Sequence, residues 1–353
     1  MLTRLPGLTD VHVHLREPGA THKEDWDSGT AAALAGGFTT VLAMPNTKPA
    51  ISNASSLEIS IAAAGRKARC DYAQYMGGGA DNSRAAADLA DKVAGLKLYM
   101  DQTYGDLKLD DMSTWVAHFA SWPRHAPLAV HAEGRTLAAA ILFASLHNRP
   151  IHLCHVSRRE EILLIRAAKE KGLLVTCEVC PHHLFLTEGD IPAIGPGRAE
   201  VRPRLATKAD QAALWANLDV IDCFATDHAP HTLVEKDSEN PPPGFPGLET
   251  ILPLLLTSVK EGRLTLDDVV TRLHTNPARI FHIPEQAETY VEVDLDAAYD
   301  IRAESLHSRC GWTPFEGWQV TGRVERVSLR GQIASKDGQV LAEPGTGKNI
   351  RTH

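Results

Sequence analysis

The sequence contains no run of apolar residues as long as the roughly 18 that a membrane-spanning helix needs. Its opening residues, MLTRLPGLTD, lack the apolar core of a secretory signal peptide. Cysteine is scarce, with 6 residues in 353, and without a secretory signal we expect these thiols to stay reduced. We therefore predict a cytoplasmic protein that has no disulfide bonds and no membrane contact.

Concentrated positive charge is also lacking. The chain has 36 Lys and Arg residues against 44 Asp and Glu residues, giving a net charge of −8, and its basic residues form no cluster. Proteins that bind nucleic acids need such clusters to displace counterions from the phosphates. We therefore predict that the partner is a small molecule and not a nucleic acid.

Short β-like runs alternate with helical stretches from Leu8 to about Thr275, which is typical of parallel strands joined by right-handed crossovers. Eight such units need roughly 250 residues, and this part of the chain supplies them. We therefore predict an α/β fold, a (β/α)8 TIM-type barrel over residues 1–285. The predicted strands are LTDVHVHL, FTTVLAMP, CDYAQYM, AGLKLYM, PLAVHA, PIHLCHV, LLVTCEV and VIDCFATDHA.

The clearest helix signal lies between the sixth and seventh of these strands. Ser157 is followed three residues later by Glu160, the spacing of a capping box. Gly172 then supplies a typical end. The pattern predicts a helix that begins at Ser157 and ends at Gly172.

Residues 286–353 have a different character. The stretches TYVEVDLD and WQVTGRVERVSLRGQIASKDGQVL alternate polar and apolar residues, and Lys336, Asp337 and Gly338 provide turn chemistry. We expect short strands that form a small C-terminal β appendage on the barrel. The final residues, EPGTGKNIRTH, are polar and predict a linker-like or frayed tail.

Histidine is abundant, with 17 residues, and metal-binding or proton-transferring side chains fall near the ends of most predicted strands. In barrels of this type the chemistry gathers at the C-terminal ends of the strands. The residues are His12 and His14 on the first strand, Lys97 on the fourth, His131 on the fifth, Cys154 and His155 on the sixth, Glu178 on the seventh and Asp227 on the eighth.

His12 and His14 are two residues apart. On an extended strand they project from the same face, so they can bind one metal ion together. The alternative is that they are two polar residues of an exposed strand, but the apolar context of this strand argues against that.

Lys97 stands in the apolar run AGLKLYM, where an unpaired ammonium tends to lose its proton. The neutral amine can react with CO₂ to give a carbamate, whose two oxygens suit a bridge between two zinc ions. One ion would be held by His12 and His14, and the other by His131 and His155. The alternatives are a lysine that extends to solvent or one that forms a Schiff base.

Asp227 is the second residue of the segment TDHAPH, where a carboxylate can bind a metal and carry a proton from water to a leaving nitrogen. The alternative is a helix cap or turn aspartate. His231, in the same segment, is positioned to contact a substrate carboxylate. Cys154 and Glu178 form a candidate set for a further metal.

The segment CEVCPHH, residues 177–183, begins like a zinc knuckle, but no second pair follows at a suitable spacing. We therefore do not predict a structural zinc site there. His182 and His183 are expected to donate hydrogen bonds near the predicted site.

Together, these motifs resemble the dihydroorotase family of the amidohydrolase superfamily, most closely the type found in the animal CAD multienzyme polypeptides. They occur in family order over essentially the whole chain. They are DVHVHLREPG, AMPNTKP, GLKLYM, HAE, CHVSRREEI, CEVCPHHLFL, EVRPRL, DCFATDHAPHT, PPPGFPGLET and TPFEG.

The resemblance implies two zinc ions bridged by a carboxylated Lys97. One ion would be bound by His12, His14, the carbamate and Asp227. The other would be bound by the carbamate, His131 and His155. In the animal-type pattern, Cys154 and Glu178 are the residues for a third zinc.

The resemblance also implies a carboxylate cradle, which we define as Arg16, Asn46 and His231. Arg202 and the region of Pro243 would contact the rest of the substrate ring. Thr103 and Tyr104 fall on a loop that serves as a lid in the family. The animal pattern usually has Phe at the position of Tyr104.

The function implied is zinc-dependent dihydroorotase, a hydrolase of cyclic amides that reversibly cyclises N-carbamoyl-L-aspartate to L-dihydroorotate in pyrimidine biosynthesis. Two alternatives stay open: another cyclic amidohydrolase, such as a hydantoinase or allantoinase, and an inactive dihydroorotase-like scaffold. The resemblance further implies a homodimer, and fusion to or association with carbamoyl-phosphate synthetase and aspartate transcarbamoylase.

Overall fold

The computed structural model describes residues 2–351, so Met1 and the last two residues of the predicted tail, Thr352 and His353, lie outside the described residues. The strands are β1 (Thr3–Pro6), β2 (Leu8–Val13), β3 (Phe38–Ala43), β4 (Asp71–Gln74), β5 (Met76–Gly77), β6 (Leu96–Tyr99), β7 (Leu128–His131), β8 (Ile151–Leu153), β9 (Val175–Val179), β10 (Cys223–Phe224), β11 (Tyr290–Asp300), β12 (Gln319–Leu329), β13 (Gln332–Lys336) and β14 (Gln339–Val340).

Strands β2 to β10 form the predicted barrel. All their pairings are parallel, in the orders β2-β3-β4 and β5-β6-β7-β8-β9-β10. The third predicted strand is divided into β4 and β5 at Tyr75, whose N–H still donates to Ala43 O at 2.9 Å. The ring closes where Val13 pairs with His228, and the N–H of His14 donates to His228 O at 2.7 Å. The barrel prediction is confirmed.

The barrel strands are buried on both faces, as parallel strands between a core and a helical layer must be. Every residue of β2, β3, β4, β6 and β7 is buried. Val11, Leu42, Ala73 and Ala129 belong to an inner cluster of buried side chains. A larger cluster contains apolar residues of the surrounding helices.

Helices follow most of the barrel strands. Within residues 2–351 no helix combines the length and the apolar character that crossing a membrane requires. The helices are α1 (Trp26–Ala35), α2 (Ala54–Lys67), α3 (Ser83–Ala87), α4 (Met112–Ser121), α5 (Arg135–Leu146), α6 (Arg159–Glu170), α7 (Pro181–Phe185), α8 (Ile191–Ile194), α9 (Lys208–Ala216), α10 (Leu233–Lys236), α11 (Ile251–Lys260), α12 (Leu266–Val270) and α13 (Asn276–Phe281).

Helix α6 is present, but its predicted cap is wrong. The carboxylate of Glu161, not Glu160, accepts hydrogen bonds from the backbone N–H groups of Ser157 at 3.2 Å and Arg158 at 3.0 Å. Ser157 Oγ is buried without a partner among the described residues. The helix therefore starts two residues later than predicted, because a cap from Glu161 satisfies both free N–H groups at once. Gly172 follows its end with φ 75°, as expected.

The predicted β appendage is also confirmed, as an antiparallel sheet in the order β1-β11-β12-β13-β14. Asp337 and Gly338 form its last turn with φ 51° and 77°. The N-terminal strand β1 belongs to this sheet and not to the barrel, since Thr3 pairs with Val293. The domain boundary at residue 285 stays a prediction.

The predicted frayed tail is wrong for residues 345–351. The N–H of Gly347 donates to Ala68 O at 2.8 Å. Lys348 O accepts from Tyr72 N–H at 2.9 Å, and the N–H of Ile350 donates to Tyr72 O at 2.9 Å. The tail is ordered because it pairs with backbone groups at the start of β4, which would otherwise lack partners.

Candidate metal centre

Three residues of the predicted site have a left-handed backbone: Arg16 at φ 62°, His155 at φ 37° and Asp227 at φ 46°. They follow β2, β8 and β10, where the chain leaves the barrel. Non-glycine residues in sparsely populated backbone regions cost on the order of 1–3 kcal/mol and persist only where the surroundings impose them. Such strain is typical of residues held in place for a function.

His12 and His14 converge on Asp227. His12 Nε2 lies 3.2 Å from Asp227 Oδ1, and His14 Nε2 lies 3.0 Å from the same oxygen. Burial lowers the pKa of His14 to about 4. Burial alone would raise the pKa of Asp227, but His12 and His14 hold it well below its usual value. The neutral imidazole of His14 beside the ionised carboxylate of Asp227 is a combination of protonation states that suits metal binding.

His131 and His155 form a second pair, with His131 Nδ1 2.8 Å from His155 Nε2. Their other nitrogens, His131 Nε2 and His155 Nδ1, are buried without a hydrogen-bond partner among the described residues. Burial lowers the pKa of His131 to about 3 and that of His155 well below its usual value. Such buried, unpaired nitrogens call for an explanation, and their neutral lone pairs fit a metal ion.

Lys97 is fully buried, and its Nζ lies 2.9 Å from Cys154 Sγ. Burial is the largest cause of the lowered pKa of His131, and the positive charge of Lys97 is the second. It is also among the causes that lower the pKa of His155. The amine therefore shares one buried space with the second histidine pair.

Cys154, Glu178 and His12 form a further group, whose possible ligand atoms all lie within 4.8 Å of one another. Glu178 makes a short contact with His12 Nδ1, and its Oε2 lies 3.0 Å from His152 Nε2. Burial would raise the pKa of Glu178, but His12 and His152 hold it well below its usual value. The structure therefore brings together the two predicted residues and adds His12.

His182 and His183 lie at the start of α7 and are buried, together with Cys180. The three residues could offer ligand atoms within 4.8 Å of one another. His183 Nε2 lies 3.1 Å from Pro203 O, and the His182 ring packs edge-on against Phe245. The contact with Pro203 fits the expected donor role for His183.

The three residues of the carboxylate cradle are buried, and two of them, Arg16 and His231, contact each other directly. Arg16 Nη2 lies 3.0 Å from His231 Nε2, and Arg16 Nε donates to Pro230 O at 3.1 Å. Asn46 Oδ1 lies 2.6 Å from His14 Nδ1, and Asn46 Nδ2 donates to Tyr104 O at 2.9 Å. Asn46 thus joins the first histidine pair to the loop that carries Tyr104.

The Tyr104 ring lies against the cradle. Its centroid is 5.0 Å from the guanidinium carbon of Arg16 and 5.0 Å from the His231 ring. Thr103, the other predicted lid residue, accepts a hydrogen bond from Gln102 through its backbone oxygen at 3.0 Å. The lid loop therefore meets the cradle through Tyr104.

The two predicted ring-contacting residues differ in their surroundings. Pro243 O lies 3.1 Å from His231 Nε2, so this segment borders the cradle. The Arg202 guanidinium instead pairs with its neighbour Glu200 at 2.8 Å and bonds to Val201 O. The structure does not connect Arg202 directly to the cradle.

Sequence reasoning missed Lys23, whose ammonium is buried behind the cradle. Lys23 Nζ lies 3.0 Å from His231 Nδ1 and 2.9 Å from Glu235 Oε1. It also reaches the Tyr104 hydroxyl at 3.4 Å. The only sequence feature that could have identified Lys23 is its closeness to Arg16 within the segment DVHVHLREPGATHKED.

Asp10 was missed as well. Its buried carboxylate accepts from the backbone N–H of His12 at 3.1 Å and from that of Thr226 at 3.2 Å. Burial raises its pKa to about 7. Asp10 therefore fixes β2 against the segment that carries Asp227. Its place in the DVHVH motif was the available signal.

A family model described as dihydro-orotase-like matches residues 3–105 of the chain. The multifunctional protein CAD of Squalus acanthias is 58% identical over 350 residues, covering 99% of this chain and 16% of that protein. The dihydroorotase of Pyrococcus furiosus is 35% identical over 364 residues, covering 96% of this chain and 83% of that protein. The chain thus spans 16% of the multifunctional relative and most of the archaeal one.

Two solved structures share the fold. The inactive dihydroorotase-like domain of the Chaetomium thermophilum CAD-like multifunctional protein is 34% identical, with a TM-score of 0.85 and 99% coverage of both chains. The L-hydantoinase (dihydropyrimidinase) from Arthrobacter aurescens is 26% identical, with a TM-score of 0.91, covering 99% of this chain and 88% of that one.

These likenesses agree with the amidohydrolase-type barrel and with the candidate metal-binding groups at the ends of its strands. The identity to the Pyrococcus furiosus enzyme extends over most of both chains. The resemblance drawn from the sequence motifs is confirmed, and the chain belongs to the dihydroorotase family.

Proposed function

We propose that the chain is a zinc-dependent dihydroorotase, which interconverts N-carbamoyl-L-aspartate and L-dihydroorotate. The observation that carries the proposal is the pair of buried imidazole nitrogens on His131 and His155 that lack a hydrogen-bond partner within residues 2–351 and lie beside the fully buried Lys97. The Pyrococcus furiosus relative named dihydroorotase supports the reaction.

In this proposal one zinc ion would be held by His12, His14, Asp227 and a carboxylated Lys97. The other would be held by the carboxylated Lys97, His131 and His155. The carbamate would form when the neutral amine adds CO₂ and releases a proton. When bound, the two zinc ions would lower the pKa of water and would polarise the ring amide carbonyl. We call this the paired zinc site.

Asp227 is proposed as the proton carrier. His12 and His14 favour its ionised form, so it can accept a proton from the attacking water. It then delivers that proton to the ring nitrogen as the amide bond breaks. In the cyclising direction the same carboxylate takes the proton from the attacking nitrogen.

The carboxylate cradle is proposed to bind the free carboxylate of the substrate. Arg16 offers a guanidinium suited to a two-pronged contact, and Asn46 and His231 lie beside it. Tyr104 and Thr103 would cover the bound substrate, and Pro243 and Arg202 would contact its ring. Because hydantoins lack an equivalent carboxylate, these residues favour dihydroorotate.

Lys97→Ala tests the proposal. We expect the variant to lose zinc from the paired zinc site and to lose turnover of dihydroorotate together, measured by metal analysis and a coupled assay. The matched control is Lys169→Ala on α6, which removes an ammonium that donates to Asp222 at 2.6 Å. Near-normal turnover in Lys97→Ala would refute the bridging carbamate.

A second candidate function is an inactive dihydroorotase-like domain, because one similar solved structure is described as inactive. The present chain retains every side chain of the predicted paired zinc site. The second candidate would be favoured if purified protein stayed metal-free and inactive after addition of zinc and bicarbonate. Turnover of hydantoin but not of dihydroorotate would instead indicate a hydantoinase.

We also propose that the chain is joined to, or associates with, carbamoyl-phosphate synthetase and aspartate transcarbamoylase. The high identity to a segment of the multifunctional protein CAD supports this arrangement. A homodimer is supported by exposed leucines on α5 and α6. The cytoplasmic location stays a prediction.

A further inference from the structure

We propose that Lys23 is a positioning residue that fixes the tautomer of His231, so that His231 and Arg16 present two N–H donors to one anionic group. This inference rests on the proposed function, because it assumes that the cradle binds a carboxylate. Lys23, which lies outside the cradle, would then set the preference of the cradle for anionic groups.

His231 is neutral in the folded protein. The residue is fully buried, and burial together with the positive charges of Arg16, Lys23 and Lys236 lowers its pKa far below the usual value. A neutral imidazole carries one proton, so one ring nitrogen donates a hydrogen bond and the other accepts one. The hydrogen-bond partners of the two nitrogens decide which one holds the proton.

Three neighbours constrain the answer. Lys23 Nζ lies 3.0 Å from Nδ1, Arg16 Nη2 lies 3.0 Å from Nε2, and Pro243 O lies 3.1 Å from Nε2. Ammonium and guanidinium groups only donate, and a carbonyl only accepts.

A proton on Nε2 satisfies two of the three contacts. Lys23 then donates to the free lone pair of Nδ1, and Nε2–H donates to Pro243 O. A proton on Nδ1 satisfies only the contact with Arg16, because it turns two N–H groups toward each other at Lys23 and leaves Pro243 O without its donor. The count of contacts therefore favours Nε2–H.

This tautomer leaves Arg16 Nη2 and His231 Nε2–H as two donors 3.0 Å apart, and the Nε2–H can be shared between Pro243 O and an acceptor placed beside Arg16. The repulsion between two facing N–H donors is removed when an anionic oxygen accepts a hydrogen bond from both. A substrate carboxylate fits this need, whereas a ring that lacks one does not. Lys23 thus favours anionic substrates without touching them.

Lys23 is itself held firmly. It is 4% exposed, and its Nζ lies 2.9 Å from Glu235 Oε1. Burial would raise the pKa of Glu235, but hydrogen bonds from Lys23, Thr232 and His22 lower it to about 2. The Tyr104 hydroxyl, 3.4 Å from Lys23 Nζ, connects the same ammonium to the lid loop.

The first test is the tautomer, read from nitrogen-15 spectra of the histidine side chains in the full chain. The His231 signals are assigned by their loss in His231→Asn. We expect a protonated Nε2 and an unprotonated Nδ1 in the wild type. In Lys23→Met we expect a shift toward Nδ1–H, because Arg16 becomes the only cation that donates to the ring.

The second test is kinetic. A hydrogen bond to a charged group contributes about 1.5–3 kcal/mol, so Lys23→Met should raise KM for dihydroorotate about 10- to 100-fold while kcat changes little. Lys23→Arg should recover part of the loss, since a guanidinium can still donate to Nδ1. Lys169→Met, which removes an ammonium bonded to Asp222 and Val220 O, is the matched control and should leave KM unchanged.

A wild-type proton on Nδ1, or an unchanged KM in a folded Lys23→Met variant, would overturn the inference. If Lys23→Met fails to fold, the tautomer and KM of Lys23→Gln decide by the same criteria. The tautomer is measured without turnover. A chain with no activity toward dihydroorotate would therefore count against the proposed function, while the spectra would still decide the role of Lys23.

Discussion

At the scale of single residues, the buried thiol of Cys154 lies between two groups of the candidate site. It contacts Lys97, and it also belongs to the group with His12 and Glu178. Burial is the main cause that raises its pKa, so a bound cation is the natural partner for its thiolate. A third zinc at this position would share His12 with the paired zinc site.

Cys154→Ser should therefore remove one equivalent of zinc and leave the paired zinc site filled, because a serine hydroxyl is a poor replacement for a thiolate ligand. Metal analysis of the purified variant measures this. Cys70→Ser is the matched control, since Cys70 is also buried with a free thiol. An unchanged zinc content in Cys154→Ser would show that this thiol is not a ligand.

Metal-binding and proton-transferring residues at strand ends were predictable from the sequence. The residues that hold them in place were not. His12 and His14 were identifiable because a strand places alternate residues on one face. Lys23 and Asp10 were missed because their partners are distant in sequence: His231 lies 208 positions from Lys23, and Thr226 lies 216 from Asp10. Only the closed barrel brings each pair together.

At the scale of elements, the strands were predicted better than the caps. Buried parallel strands give apolar runs that can be recognised from a short stretch of sequence. The start of α6 depends instead on which of two adjacent carboxylates, Glu160 or Glu161, folds back onto the free N–H groups. The short-range pattern allowed both, and tertiary contacts of Glu161 with Gly134 N–H at 2.8 Å favour the second.

The loop between β11 and β12 is joined to the segment just before α11 by the carboxylate of Glu249. Glu249 lies 3.0 Å from His307 Nδ1 and accepts from the backbone N–H of His307 at 2.8 Å and of Ser308 at 3.1 Å. The hydrogen bond that His307 donates to Glu249 raises the pKa of His307 above its usual 6.5. The charged form of His307 therefore stabilises the folded state.

Because the folded-state pKa is raised, this stabilisation is complete below the unfolded pKa and is lost as the pH rises through the folded value. We expect His307→Gln to lower the free energy of unfolding by about 1 kcal/mol or less at about pH 5.5, and by less at about pH 8.5. Urea unfolding at both pH values measures the difference. A larger effect at the higher pH would contradict this assignment.

At the scale of the whole molecule, an apolar patch on neighbouring helices is the candidate for self-association. Leu142 and Leu146 on α5 are 55% and 70% exposed, and Leu163 and Leu164 on α6 are 43% and 38% exposed. Large exposed apolar side chains on adjacent helices are typical of contact sites between proteins. We assign it to the proposed homodimer.

Introducing charge at this patch should separate the subunits, because a buried unpaired carboxylate opposes association. Leu146→Glu combined with Leu163→Glu is expected to halve the mass measured by light scattering at micromolar concentration. Ile59→Glu on α2, where the wild-type side chain is 48% exposed, should leave the mass unchanged. A wild-type chain that is already monomeric would refute the dimer.

The pairing of Thr3 with Val293 has a consequence for the order of events on the ribosome. At roughly 5–20 residues per second, the partner of the first strand is synthesised about 15 to 60 s after it. During that interval the nascent strand has an open edge while the barrel behind it assembles. Translation speed, and any chaperone that shields this edge, should therefore influence the yield of native protein.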